Sequence, residues 1–256
     1  VALVPTMGAL HEGHLELVRL AVRAAPRTLV SIFVNPTQFA PNEDYARYPR
    51  DQRGDLAKLA PLGVDLVYMP STALMYPEGF ATSVHVAGPA EVGLEDKYRP
   101  HFFGGVVTVV CKLLTHCRPD IALFGHKDYQ QLLVVRRMVR DLDLGVEIVG
   151  AETVREGDGL ALSSRNAYLD ADERRIAPGL NAALRDAAKR IAEDGDVDKI
   201  MAAARAGLTR MGFRVDYVEA RNAETLEPVS DPHREPVRLL AAAWLGTTRL
   251  IDNIAV

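Results

Sequence analysis

The chain has 256 residues, 48% of them hydrophobic and 25% charged, with a formal charge of −4. Those are the proportions of a soluble globular protein made of one large or two modest domains. Such mild acidity gives no footprint for nucleic acid or an anionic membrane, so any bound anion must be held by a local site.

The chain opens on an apolar run, Val1 to Val4, read as a strand; because it starts inside that strand, the natural protein is expected to carry further residues before it. Pro5-Thr6-Met7-Gly8-Ala9-Leu10-His11-Glu12-Gly13-His14 follows and leads straight into Leu15, Leu17, Val18, Leu20, Ala21 and Val22. Apolar residues at three- and four-residue intervals predict a helix with one buried face. The stretch is therefore a buried strand, a tight glycine-bearing turn and a helix whose first turn carries two histidines. Helix N-termini leave backbone N–H groups unpaired and suit phosphate. A histidine there can donate to a phosphate oxygen or offset charge on a leaving group.

Residues 28–34 are β-branched and continuously apolar, the pattern of a strand buried on both faces of a parallel sheet. The run ends in Asn35-Pro36-Thr37-Gln38-Phe39, where Pro36 stops regular structure. Polar residues at the carboxyl end of a parallel strand lie where open α/β sheets bind ligands, although turn chemistry alone also accounts for them. After a polar segment over 40–53, residues 55–62 read as a helix and 64–69 as a further strand. Residues 71–101 are rich in Pro and Gly, with one short alternating strand over 83–86. A helix over 104–117 contains Cys111 and Cys117, which read as reduced, buried small hydrophobes. A strand over 121–124 then ends in Gly125-His126-Lys127-Asp128-Tyr129-Gln130-Gln131 and a helix, repeating the opening architecture. Lys127 is a mobile point charge of the kind used on phosphates, and Asp128 is placed to cap that helix.

Strands over 146–149 and 152–154 close this first unit. Alternating strands and helices predict right-handed βαβ units and a doubly wound parallel sheet, a Rossmann-like α/β domain over 1–156. Next comes Gly157-Asp158-Gly159-Leu160-Ala161-Leu162-Ser163-Ser164-Arg165-Asn166, whose hydroxyls and guanidinium could clamp a phosphate. Helices over 173–193 and 197–211, then strands over 214–219, 238–243 and 248–254, break the alternation. They predict a smaller α+β domain over 157–256, with the Gly157 to Arg165 loop directed at the first.

No Walker lysine motif or Rossmann glycine fingerprint is present. His11-Glu12-Gly13-His14 instead resembles the HxGH signature of the nucleotidylyltransferases, relatives of the class I aminoacyl-tRNA synthetases. Five motifs in order resemble the pantothenate synthetase (pantoate–β-alanine ligase) family: Pro5 to His14, Phe33-Val34-Asn35-Pro36-Thr37-Gln38-Phe39, Lys127-Asp128-Tyr129-Gln130-Gln131, Leu162-Ser163-Ser164-Arg165-Asn166, and Gly246-Thr247-Thr248-Arg249-Leu250-Ile251-Asp252-Asn253-Ile254. The resemblance implies formation of pantoyl adenylate from ATP and pantoate, then attack by β-alanine to give pantothenate and AMP. It implies that His11 and His14 hold the ATP phosphates, with His11 the proton donor, and that Lys127 neutralises the phosphates as pyrophosphate leaves. Ser163, Ser164 and Arg165 would close over the triphosphate on a lid. Pro5, Thr6, Met7, Gly8, Gly125, Val154 and Leu162, with Asp128, would complete the ATP site. Gln38 and Gln131 would hold pantoate, with Asn35 nearby. The resemblance further implies Mg²⁺, with Asp55 in its shell, a homodimer and a cytoplasmic setting, and no nucleic-acid or membrane partner.

The chain departs from the family pattern at three places. His126 stands where Glu is usual, Phe102 where a His precedes the Phe of the Arg-Pro segment (His101 coming one residue early), and Gly54 where an acid often sits beside Asp55. Two other readings stay open on the residues alone: another HxGH adenylyltransferase, and a non-catalytic nucleotide-binding relative.

Overall fold

The computed structural model describes residues 1–256 apart from Asp194, Ser230 and Asn42, the last within the polar segment read over 40–53. The chain divides into two compact units, Val1–Glu152 and Thr153–Val256.

In the first unit, strands β1 (Ala2–Thr6), β2 (Thr28–Ile32), β3 (Leu66–Tyr68), β4 (Ile121–Gly125) and β5 (Glu147–Ala151) form one sheet in the order β3-β2-β1-β4-β5. All four pairings are parallel. Successive strand residues point to opposite faces, and this splits the core in two. Leu3, Leu29, Ala122 and Phe124 join one cluster, whereas Ala2, Val4, Val30 and Leu123 join the other. Helices α1 (Glu12–Ala24) and α2 (Gln52–Leu59) cover the second face through Leu17, Val18, Ala21 and Leu59. The short α3 (Thr72–Met75) and α4 (Glu95–Tyr98) precede α5 (Phe102–Cys117) and α6 (Tyr129–Asp141), which cover the first face through Phe103, Val107, Val110, Leu132 and Val135. Burial on both faces is why the strands read as unbroken apolar runs rather than alternating ones. Cys111 and Cys117 are free and half-buried against this core.

The strand order reverses between β1 and β4, a topological switch point that opens a crevice at the strands' carboxyl ends. The turn after β1 carries His11 and the turn after β4 carries Lys127, so the topology alone brings the two motifs to one place.

Two predicted strands of this unit do not form. Residues 83–86 pair with no strand; the Val84 N–H donates instead to Thr108 Oγ1 at 3.0 Å, and Val84 and Val86 pack on the core. Their alternation reflects a coil laid over α5. Residues 152–154 leave the sheet as well, since the chain turns into a hairpin with Arg155 bridged to Ala161.

The second unit holds α7 (Ala171–Ile176), α8 (Gly179–Ala192) and α9 (Val197–Arg210), with an antiparallel sheet β6 (Arg214–Asn222), β7 (Val237–Leu245) and β8 (Thr248–Ala255) in the order β6-β7-β8. The single helix expected over 173–193 is two. Pro178 has no N–H to donate and its ring obstructs the preceding turn, so α7 stops and α8 restarts at Gly179. The start at Ala171 comes from a capping box, in which Asp170 accepts the Asp172 and Glu173 N–H groups at 2.8 Å and Glu173 accepts the Asp170 N–H at 3.0 Å. Arg155 forks onto Asp252 at 2.7 and 2.8 Å, and Asn181 donates to the same carboxylate at 3.0 Å. That is where the Asp of the C-terminal motif is spent: it ties the hairpin at 155–161 to β8 and α8.

Candidate active site

The turn between β1 and α1 is shaped before any ligand arrives. Gly8 has φ +80°, a conformation open to glycine, and a Cβ there would meet Asp55 Oδ2 at 3.0 Å. Ala9 follows at φ +50°, which L-residues avoid. It is held by Asp55, whose Oδ2 accepts the Ala9 N–H at 2.9 Å and whose Oδ1 accepts the Leu10 N–H at 2.7 Å. On the other side Thr6 Oγ1 donates to the Ser31 carbonyl at 2.8 Å and accepts the Gly8 N–H at 3.3 Å. Thr6, Met7 and Gly8 are thus fixed as a frame, and α1 starts at a set point with His11 as its N-cap residue and His14 in its first turn.

The two imidazoles sit together, ring centroids 4.1 Å apart. The His11 backbone N–H donates to His14 Nδ1 at 3.3 Å. His14 Nδ1 is therefore unprotonated, and the neutral ring carries its hydrogen on Nε2. His11 Nδ1, in contrast, is buried without a hydrogen-bond partner among the described residues. One ring is locked as an N–H donor and the other holds an uncommitted nitrogen. Burial, helped by the charges of Lys127 and Lys58, pushes His11 down to about 4, with Asp128 acting against it. Burial, then the charges of His11, Lys127 and Lys58, pushes His14 down to about 3. Both are neutral near pH 7, so they serve as hydrogen-bond groups and not as standing cations. The expectation of His11 as proton donor becomes one of a ring that must first gain a proton in the field of a bound anion.

Lys127 lies in a 3-10 turn over His126–Asp128 at the end of β4, with its Nζ 3.9 Å from Asp128 Oδ2. Asp128 occupies the N-cap position of α6, yet its side chain makes no cap hydrogen bond. It faces the lysine instead, which corrects its expected capping role. His126, the departure from the family pattern, bonds Glu152 through Nδ1 at 3.0 Å. A carboxylate thus stands beside this turn, supplied from 152 rather than 126.

Asn35 and Gln38 are both buried but differ in commitment. Asn35 Nδ2 donates to the Gly105 carbonyl at 3.1 Å and to Gln38 Oε1 at 3.2 Å, while Asn35 Oδ1 accepts the Tyr76 hydroxyl at 2.7 Å and Thr37 Oγ1 at 3.0 Å. With its capacity used, Asn35 is a scaffold for Gln38. Gln38 points its Nε2 at Met7 Sδ, 2.9 Å away, so it lies against the turn after β1. On α6 the adjacent glutamines divide in the same way. Gln130 accepts the Glu95 N–H at 2.9 Å and donates to the Pro89 carbonyl and to Asp96. The half-buried Gln131 side chain makes no hydrogen bond among the described residues. It is the one of the pair open to a ligand.

Gly105 allows α5 to press on this loop: a Cβ there would fall 2.6 Å from the Thr37 carbonyl carbon and 2.8 Å from the Gln38 nitrogen. Gly105→Ala is expected to destabilise the protein by about 1–3 kcal/mol through overpacking. The displaced backbone would be that of Thr37 and Gln38, so the strain falls on the Gln38 loop. Thermal melts of the variant against the parent check the effect.

Phe102 explains itself in the structure. The Arg99 guanidinium lies 3.9 Å over its ring, forks onto Glu43 at 2.7 and 2.8 Å, and donates to the Gln38 carbonyl at 3.2 Å. Phe102 thus supplies an aromatic face for an arginine that braces the Gln38 loop. His101 Nε2 is buried with no partner among the described residues. Arg99 and Tyr76 were absent from the sequence-based site; Tyr76 is 41 residues from Asn35 and left no signal.

Asp55 does not fit a metal ion. It is 1% exposed and both oxygens are bound to backbone N–H groups. Among the described residues no group of three or more His, Cys, Asp and Glu side chains could hold an ion. Its expected place in a Mg²⁺ shell is replaced by a role in shaping the turn, and no step below passes through a metal.

In the second unit the Leu162 N–H donates to the Val154 carbonyl at 3.0 Å, so these two residues face each other across the hairpin. Ser163 caps a 3-10 helix over Ser164–Tyr168, its Oγ accepting the Arg165 N–H at 3.3 Å. The unit starts at Thr153, four residues before the expected boundary, because Val154 and Arg155 are bonded to this hairpin.

A family model described as pantoate-beta-alanine ligase matches residues 1–255. A pantothenate synthetase of Bradyrhizobium sp. is 60% identical over 256 residues, spanning 100% of this chain and 90% of that protein. One from Rhodopseudomonas palustris (strain CGA009) has the same identity and the same coverage, 60%, 100% and 90%. The crystal structure of pantothenate synthetase from Thermus thermophilus is 50% identical, covers 99% of this chain and 92% of its own, and superposes with a TM-score of 0.95. A pantoate-beta-alanine ligase from Francisella tularensis, complexed with beta-gamma ATP and beta-alanine, is 34% identical, with coverages of 99% and 88% and a TM-score of 0.82.

Proposed function

The chain belongs to the pantoate–β-alanine ligase family, and we infer from that membership and from the switch-point geometry that it joins pantoate to β-alanine at the expense of ATP. In the first step a pantoate carboxylate oxygen attacks the α-phosphorus, the bond to the β-phosphate oxygen breaks, and pyrophosphate leaves. The β-alanine nitrogen then attacks the acyl carbon, the bond to the phosphate oxygen breaks, and AMP leaves as the amide forms.

The observation that carries the reading is the pair of adjacent imidazoles at the N-terminus of α1, one committed through Nδ1 and the other not, both kept from charging by burial and by Lys127. Bringing a carboxylate against an anionic phosphate demands that negative charge be offset before attack. His14 Nε2–H and the Lys127 ammonium supply a fixed donor and a charge. His11 gains basicity as the triphosphate's charge arrives, and it can then give a proton to the departing pyrophosphate. Gln38 and Gln131 present amides suited to a neutral hydroxylated acid chain. Ser163, Ser164 and Arg165 are assigned to the phosphates on their chemistry, two hydroxyls and a bidentate cation, and Val154, Leu162 and Gly125 to the nucleoside through backbone groups. A mixed anhydride must be shielded from water, which is the use of a loop that closes. Homodimerisation and a cytoplasmic setting complete the reading; no described helix is long and apolar enough to cross a membrane.

Purified protein supplied with ATP, Mg²⁺ as the nucleotide's counter-ion, pantoate and β-alanine should form AMP and pyrophosphate in equal amounts, with sustained turnover only when both organic substrates are present. Pantoate alone should give a single burst of pyrophosphate stoichiometric with enzyme. Formation of ADP, or tight ATP binding without turnover, overturns the assignment.

A further inference from the structure

One side chain outside the sequence-based site is aimed at the same turn. Lys58 lies on α2 one turn after Asp55, and its Nζ donates to the Leu10 carbonyl at 2.6 Å. Leu10 is the residue before His11, and its N–H is already held by Asp55 at 2.7 Å. A single helix face therefore grips both the N–H and the C=O of the residue leading into the histidine turn. Asp55 and Lys58 are three residues apart, the spacing that puts two side chains on one face. Among the described residues Lys58 forms no ion pair, since Asp55 spends both oxygens on backbone groups. Its positive charge is consequently left for the turn itself.

We propose that Lys58 is a positioning residue for the adenylation step: it clamps the Leu10–His11 peptide and sets a fixed positive charge beside the two imidazoles. The inference rests on the reading of His11 and His14 as phosphate ligands. Its electrostatic reach covers both rings. The charged groups acting on His11 are Lys127, Lys58 and Asp128, and the titratable and charged groups acting on His14 are His11, Lys127 and Lys58. Lys127 comes from the turn after β4 and Lys58 from α2, so the rings feel cations delivered by separate elements. Each cation resists protonation of the rings in the empty site, and an arriving triphosphate cancels that resistance. Lys58 thus couples proton gain at His11 to the presence of nucleotide.

Three substitutions separate the clamp from the charge. Lys58→Arg keeps both, Lys58→Gln keeps a donor for the Leu10 carbonyl without the charge, and Lys58→Met keeps neither. Histidine titrations followed by NMR on the nucleotide-free protein should show the His11 midpoint raised by roughly half a pH unit or more in both the Gln and the Met variants. Lys58→Met should in addition lower kcat about tenfold through loss of alignment, and Lys58→Arg should restore kcat and midpoint together. Unchanged histidine midpoints in the Gln and Met variants, or failure of Arg to rescue, overturn the proposal. If Lys58→Met fails to fold, Lys58→Gln carries the test; if both fail, Lys58 is purely structural and the proposal falls. The titrations need no substrate, so they judge Lys58 even if His11→Ala keeps full turnover and the phosphate-ligand reading is the one that fails.

Discussion

His11→Ala should lose roughly 10³-fold in the rate of pyrophosphate release, the range for removing one general acid or one donor to a developing anion. Its thermal midpoint should stay close to that of the parent. The reason for the second half is specific. His11 Nδ1 has no hydrogen-bond partner among the described residues, and the His14 N–H beside it is held by the His11 carbonyl at 2.8 Å, so deleting the ring strands no buried donor or acceptor. The bond that orients His14 comes from the His11 backbone N–H, which alanine keeps. His14→Ala should behave differently, because it removes the acceptor of that N–H and costs stability together with rate. Rapid-quench measurement of pyrophosphate, paired with calorimetry, distinguishes the cases. A His11→Ala protein that unfolds, or one that turns over normally, shows the ring to be packing rather than chemistry.

That asymmetry between the histidines could not be read from the sequence, and the reason is geometric. The His11-Glu12-Gly13-His14 spacing places both rings in the first turn of a helix, which periodicity and glycine placement predict well. Which nitrogen is occupied depends on a single backbone bond, and that bond depends on the φ +50° of Ala9 and on Asp55, 46 residues away. Parallel strands were legible because burial on two faces leaves unbroken apolar runs. Residues 83–86 misled because the same alternation arises when a coil lies across a helix with Val84 and Val86 inward. Adjacent Gln130 and Gln131 look equivalent in sequence, yet one is consumed by Glu95, Pro89 and Asp96 and the other has no partner among the described residues. The family resemblance implies a metal shell for Asp55; only its burial and its two N–H bonds assign it to the turn. Residue type and order locate a site, and long-range hydrogen bonds decide what each member does there.

The protein should lose stability steadily as pH falls from about 6.5 toward 4, and the loss should be smaller in His11→Ala. The sign follows from linkage. His11 and His14 have an ordinary value of 6.5, and the folded chain lowers them to about 4 and about 3. Across that window the unfolded chain binds more protons than the folded one, so stability rises with pH. The contribution is fully present above 6.5 and is lost as pH drops through the folded values. For His11 alone the ceiling is about 3 kcal/mol, reduced by solvent because the ring is only half-buried. Even so reduced, it is a sizeable part of the roughly 5–15 kcal/mol available to a domain. The same inequality predicts that ATP binding at pH 6 takes up protons, since a triphosphate favours the protonated rings that the empty site disfavours. Thermal melts at intervals between pH 7.5 and 4.5, and calorimetric binding in buffers of different ionisation enthalpy, read the two consequences independently. A flat melting profile in this window, or binding heats that do not vary with buffer, contradicts the neutral-histidine site. Acid lability and nucleotide-linked proton uptake are thus one property: the same burial and the same lysines that keep the rings uncharged in the empty enzyme prepare them to accept a proton when phosphate enters.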